Sequence, residues 1–399
     1  MNGKSSMPQK PCTITTEELE QKLRHLAEVL LDAGEHAILL NSEGAMRWLT
    51  GIKHQLGDIA PGAVSPVYAL VRVVGGDSYN ISIIAKPFEM PRLRDQIPDV
   101  FSLLADIAYD FLESMPDLAG VLSPADHVYE EIVGRIVRPL LGGFTGNQYA
   151  KVHWLSNMTM RVLAETAGQF TVGMNGMEAR GLLLQNLARC EIDANLVLIA
   201  LTGQECHLHP VASSKYKIEK GTWLKLVVGS RYAEQIVSQS LMVKLGGNAS
   251  EREQRVYHAL QDVAVECAAC YRPEKTQREI YSQMLKAFRN VERQYNLKGF
   301  AASATLHHPG GGTSPLGNRD RMLDPQSEKT FEPWAQFAIN PVDSLLGFKV
   351  ELQGIVAEAG QNPFLLKMSE FTGDILNFRP VKASDGTTGA LPELLVIKD

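Results

Sequence analysis

Near the start of the chain, apolar residues recur at helical spacing. Leu19, Leu23, Leu26, Leu30 and Leu31 fall at positions that share one helix face. Thr15 ahead of Glu17 and Glu18 supplies an N-cap and an acidic first turn, and Gly34 stops the helix. The run 36–41 predicts a short buried strand. Val67–Val74 and Tyr79–Ala85 predict two more, and helix and strand alternate to about residue 140. That alternation describes an α/β domain. Pro139–Gln148 holds Gly142, Gly143 and Gly146 and marks a join, so two domains are expected, 1–148 and 149–399.

Beyond the join the pattern changes. Val152–Ala167 and Gly176–Cys190 predict helices and Leu196–Leu201 a strand. Gly221–Gly229 and Gln235–Leu245 predict a hairpin, followed by two long helices, Glu251–Tyr271 and Thr276–Tyr295. Phe300–Leu306, Gln336–Asn340, Phe348–Ala357 and Phe364–Met368 read as strands. The class expected for the whole is α+β.

Composition narrows the function. In 399 residues, 45% are hydrophobic and 21% charged, which suits a sizeable core. The net charge of −6 argues against nucleic-acid binding, which needs a basic stripe. No run approaches the ~18–20 apolar residues of a membrane span, and the polar start lacks the apolar stretch of a secretory signal. A cytoplasmic location is therefore the default expectation, and the five cysteines are expected as thiols. Cys267-Ala-Ala-Cys270 lies inside a helical pattern and has no second pair, so it reads as helix packing.

The segments that carry chemistry lie mostly in the second half. Residues 305–312 read Thr-Leu-His-His-Pro-Gly-Gly-Gly. Gly221-Thr-Trp-Leu-Lys-Leu-Val227 opens the hairpin, Asn340-Pro341 ends a strand, and Gly347-Phe-Lys-Val-Glu351 begins the next. Leu201-Thr-Gly-Gln-Glu-Cys-His-Leu-His-Pro210 follows a strand, and an early segment ends Trp48-Leu-Thr-Gly51. In this order and spacing, over nearly its whole length, the chain resembles the aminopeptidase P, prolidase and creatinase family. The resemblance implies a creatinase-like N-terminal α/β domain, a C-terminal pita-bread domain and a homodimer.

In that family Asp, Asp, His, Glu and Glu hold two divalent metals, whose charge calls for several carboxylates. The positions matched here are Val227, Ser238, Gly311, Asn340 and Glu351. Only Glu351 keeps a ligand, so no dinuclear centre and no cofactor are expected. Other positions match better. His209 matches a family His that contacts the substrate carbonyl, and His307 the His that opens the glycine loop. A third family His is replaced by Asn318, followed by Arg319 and Arg321. Within the family, creatinase cleaves a C–N bond without metal.

Each residue also has a structural reading. His209 is either an acid-base or a loop His bonded to backbone, and an imidazole near pKa 6.5 suits the former. If Thr305–His308 ends a strand, His307 and His308 face opposite ways, and the match places His307 in the pocket. Gly310–Gly312 reads as a tight turn or an anion cradle; it lacks the Lys of a P-loop. Arg319 and Arg321 suit either a carboxylate clamp or a surface ion-pair cluster. Glu351 suits a base, a cation receptor or a salt bridge to Lys349.

The expectation is a metal-independent hydrolase of a small amide, guanidino or imino-acid-type substrate. His209, Glu351 and His307 would be catalytic, and Asn340, Arg319 and His308 would bind a small-molecule or short-peptide ligand. The alternatives are a non-catalytic binder of a peptide, small molecule or partner, and a metallopeptidase with other ligands.

Overall fold

The expected first helix forms as α1 (Thr16–Asp32), capped where Thr15 Oγ1 accepts the Glu18 backbone N–H. Leu19, Leu23, Leu26 and Leu30 are buried, as their spacing requires, while Leu31 is exposed. The structure is a computed structural model describing residues 8–54, 67–75, 78–99, 101, 104, 107–137, 145–201, 203–204, 209–307 and 310–398, with backbone only at 318–320 and 374. After α1 come β1 (Ala37–Leu40), α2 (Glu43–Thr50), β2 (Val67–Gly75), β3 (Ser78–Ala85), α3 (Met90–Gln96), β4 (Ile107–Leu112) and α4 (Tyr129–Val137). The strands form one sheet in the order β1-β2-β3-β4, with only β3 and β4 parallel. Its core joins α1, α2 and α4 to the sheet through Leu23, Trp48, Ile81, Ile83 and Ile136.

His54 sits at the edge of this core. Thr50 Oγ1 donates to Met46 O at 2.8 Å, so His54 Nε2 donates to Thr50 Oγ1 at 2.6 Å. His54 Nδ1 is then a buried lone pair without a hydrogen-bond partner among the described residues. Burial, reinforced by the charges of Arg92 and Arg47, pulls the imidazole down to about 3. A folded pKa below the unfolded one gives stability that is complete above pH ~6.5 and declines as pH falls toward 3. Thermal melts at pH 7.5 and 5 should therefore differ more for the wild type than for His54→Gln. Equal differences would contradict the assignment.

The second half is built around a larger core. It contains α5 (Gly146–Ala167), α6 (Gly176–Arg189), β5 (Asp193–Ala200), β6 (Trp223–Tyr232), β7 (Gln235–Leu245), α7 (Glu251–Ala268) and α8 (Gln277–Tyr295). Each of these four helices opens with a capping box: Thr145 with Gln148, Asn175 with Glu178, Ser250 with Glu253, and Thr276 with Glu279. Such reciprocal bonds satisfy backbone donors that the helix start leaves open. Strands β8 (Gly310–Ser314), β9 (Gly317–Met322), β10 (Gln336–Ile339), β11 (Leu352–Ile355) and β12 (Phe364–Leu365) follow, and then β13 (Phe378–Lys382), β14 (Thr388–Pro392) and β15 (Leu395–Ile397). One sheet runs β15-β7-β6-β5 and another β12-β11-β10-β8-β9, with β13-β14 as a separate hairpin. The α+β class is as expected.

One element was misjudged. Phe300–Thr305 is a 3-10 helix, not a strand. Phe300, Ser303 and Ala304 are the buried positions, a helical spacing that the short apolar run concealed. The strand begins only at Gly310. Cys267 is buried in the core, and Cys270 Sγ donates to Glu266 O at 3.2 Å, which fits the packing reading of that pair.

The two halves meet through buried charge. Lys151 Nζ lies 2.7 Å from both Glu18 and Glu234, and Lys22 Nζ lies 2.5 Å from Glu18. Trp48 O and Thr13 O accept from Lys22 and Lys151 at 2.5 and 2.8 Å. Arg47 adds a 2.7 Å pair with Asp193. Gly44 rests on the turn at Pro315, where a Cβ would approach Pro315 O to 2.5 Å.

Candidate functional site

The hairpin of β6 and β7 pairs Val227 with Ser240 and Gly229 with Ser238. Alternation along a strand puts Lys225, Val227, Ser238 and Ser240 on one face. The opposite face carries Leu224, Leu226, Val228, Val237 and Leu241 into the core. β7 lies against β8, β9 and β11. In that second sheet Ala338 pairs with both Gly311 and Gln353. The Val350 N–H donates to Pro341 O at 3.1 Å and continues the register, which sets Asn340 beside Glu351. Phe337 stacks on Tyr271 at 4.2 Å on the outer face, and a Cβ on Gly354 would meet the Phe337 ring. Gly311, Asn340, Glu351 and Gln353 are therefore on the other face, toward the hairpin. Val227, Ser238, Gly311, Asn340 and Glu351 thus lie buried on the facing sides of the two sheets, the candidate cleft.

His209 and His307 meet in this region. Their Nε2 atoms are 3.1 Å apart, with ring centroids at 4.8 Å. Pro210 O accepts from the Ile199 N–H at 3.2 Å, which ties His209 to the end of β5. His307 follows the 3-10 helix, whose Ser303 Oγ accepts from the Ser344 N–H at 2.9 Å. His307 thus reaches His209 from a turn rather than from a strand end.

The cleft also holds buried charge. Lys349 Nζ is 2.9 Å from Glu351 Oε1, and both side chains are almost fully buried. Lys225 Nζ donates to Gly347 O at 3.0 Å. The turn that presents Gly347 is organised by Asp343, whose carboxylate accepts the N–H groups of Leu345, Leu346 and Phe348 at 2.8, 2.7 and 2.5 Å. Burial raises the Asp343 pKa, against the pull of those three bonds and of Lys225. At His209 burial lowers the pKa, Lys349 and Lys225 lower it further, and Glu351 opposes them. Burial and the two ammonium groups thus favour the neutral imidazole of His209.

The remaining candidates separate. Arg321 pairs with Glu332 at 2.7 Å and lies 5.0 Å over the Phe331 ring, the ion-pair arrangement rather than a clamp. His308 and the Arg319 side chain lie outside the described residues. Asn340 Oδ1 is buried with no hydrogen-bond partner among the described residues. Sequence reasoning overlooked Lys225, Asp343 and Gln353. The signal for Lys225 was a lone charge inside the apolar run Trp223–Val228.

Gly310 and Gly311 adopt φ of +137° and +155°. A Cβ on Gly311 would lie 2.1 Å from Arg321 O, and one on Gly310 2.1 Å from Ala338 O. The backbone here admits no side chain at 311. Among the described residues, no three His, Cys, Asp or Glu side chains gather as a metal group.

This architecture has known counterparts. Metallopeptidase family M24 matches residues 151–361, more than half of the chain, and the protein belongs to that family. A Xaa-Pro dipeptidase from Bacillus anthracis superposes with a TM-score of 0.63 at 13% identity, over 95% of this chain and 100% of that one. An Escherichia coli aminopeptidase P variant gives 0.66 at 11% identity, over 91% and 96%. Dipeptidase PepE from Mycobacterium ulcerans gives 0.62 at 14%, over 97% and 100%. The fold is thus the pita-bread arrangement. No curated protein sequence matches the chain significantly.

Proposed function

We propose that the cleft is a metal-independent hydrolytic site for the C–N bond of a small amide, guanidino or imino-acid-type substrate. The observation that carries this reading is the 3.1 Å contact between His209 Nε2 and His307 Nε2. Two imidazoles at that distance share one proton, so one ring is poised to accept while the other donates. In the reaction, water attacks the carbon and gives up its proton to the neutral His209. The C–N bond then breaks as the proton passes to the departing nitrogen. His307 relays the proton, and Asn340 orients the substrate. Glu351 acts as a fixed charge held by Lys349 rather than as the base.

The donor set does not suit two divalent cations. Gly311 has no room for a ligand side chain. Glu351, the ligand position that keeps its carboxylate, already faces the ammonium of Lys349 at 2.9 Å. A cation at that place repels a metal rather than binding it.

The test is a panel of small amides and guanidino compounds assayed with chelator present. Turnover is expected to persist, and His209→Ala should reduce kcat by about 10²-fold or more. Because His209 stays neutral below the usual imidazole range, the acid limb of the pH–rate profile should lie below pH ~6.5. Full activity in His209→Ala, or activity that chelator abolishes and manganese restores, would overturn the reading. No turnover across the panel would leave the cleft as a binding site alone.

A further inference from the structure

A second cavity lies outside the candidate cleft. Its volume is about 300 Å³, and it is bounded by α7, α8, Lys275 in the connection between them, and the turn that follows β13. None of its lining residues belongs to the cleft. Its volume is at the lower end for small-molecule sites.

The charged groups around it are unequally engaged. Three carboxylates line the cavity, and both oxygens of each already have a donor. Asp262 accepts from Arg379 at 2.6 Å and from the Tyr295 hydroxyl at 2.5 Å. Glu266 accepts the Ser384 N–H and hydroxyl at 2.7 and 2.9 Å. Asp385 accepts from Arg272 at 2.5 Å and from the Thr387 N–H at 2.9 Å. These acids hold the wall together. The ammonium groups of Lys275, Lys286 and Lys382 line the same cavity and form no ion pair among the described residues. Arg379 and Arg272 balance Asp262 and Asp385, so three ammonium groups face the one remaining charge of Glu266. A recess with excess positive charge complements an anion, and Lys serves phosphate as a point charge.

The α8 wall adds a second kind of group. Gln283, Lys286, Asn290 and Gln294 recur at helical spacing along α8, and all four line the cavity. Ala287 and Val291 share that stripe and are buried, which gives the recess an apolar floor. A carboxamide both donates and accepts, so the three amides suit hydroxyl groups.

We infer that this cavity binds a small phosphorylated polyol, with Lys275, Lys286 and Lys382 holding the phosphate and the amides of α8 the hydroxyls. The inference does not depend on the hydrolytic reading of the cleft.

Calorimetric titration of the full chain with glucose-6-phosphate tests it: one site per chain is expected, about ten-fold tighter than for inorganic phosphate or succinate, with no binding of glucose. Lys286 and Lys382 are exposed, so Lys286→Gln and Lys382→Gln should fold normally. Each should weaken binding of the sugar phosphate about ten-fold, the scale of one charge-assisted hydrogen bond. Gln283→Leu combined with Gln294→Leu should bring its affinity down to that of inorganic phosphate. Lys298→Gln changes an exposed lysine of the same region that does not line the cavity, and should leave binding unchanged. Four results would overturn the inference: no saturable binding of the sugar phosphate, equal affinity for inorganic phosphate, equal affinity for succinate, or an equal loss in Lys298→Gln.

Discussion

Gly311→Ala is expected to destabilise the protein by about 4 kcal/mol or more, the range that marks backbone strain or a disrupted core. The added Cβ would sit 2.1 Å from Arg321 O, inside a strand paired on both sides. The neighbour is backbone, so relief requires moving β9 or β8 itself. Gly311→His adds an imidazole to the same clash and should be at least as unstable, with no gain in metal affinity. Denaturant melts of both variants check this. A Gly311→Ala protein within ~1 kcal/mol of wild type would show that the strand yields freely.

The second large effect is expected at Lys151→Met, a loss of about 3–5 kcal/mol, as for other broken buried ion pairs. Lys151 bonds Glu18 and Glu234 with its side chain 0% exposed. Removing it leaves two buried carboxylates to the single ammonium of Lys22. Lys151→Met combined with Glu18→Gln restores charge balance and should be less damaged than Lys151→Met alone. The pH dependence follows from Glu18. Burial raises its pKa, but Lys22 and Lys151 outweigh that and bring it to about 2, below the ordinary 4.5. A depressed carboxylate pKa gives stability that is present above pH ~4.5 and lost as pH falls toward 2. Melts across that window should be steeper for the wild type than for Glu18→Gln. A double variant worse than Lys151→Met would contradict the picture of a balanced tetrad.

Much of the fold was legible because its signals are local. The leucine spacing of α1, the capping residues and the alternation of β6 and β7 all report on near neighbours in sequence. The turn at Phe300–Thr305 was misjudged because a short apolar run fits a strand and a helix equally well until its burial is known. The site was legible in part. His209 and His307 stood at matched positions, and Glu351 with Lys349 on one face suggested the ion pair that is observed. Their meeting across 98 positions of sequence was not legible, since nothing local encodes it. Nothing local in the sequence marks Glu18, Lys22 and Lys151 as buried either. Only the packing of α1 against α5 and the β6–β7 turn reveals why they are inside.

Of the five positions matched to metal ligands, only Glu351 keeps a carboxylate, and in this M24 fold it is paired with the buried ammonium of Lys349, while His209 and His307 meet at 3.1 Å. Metal content measured on protein purified with added manganese, followed by manganese titration, tests the metal-independent reading most directly. The account predicts far less than one ion per chain and no saturable binding at the cleft. About two ions per chain, lost together with activity on chelation, would contradict it.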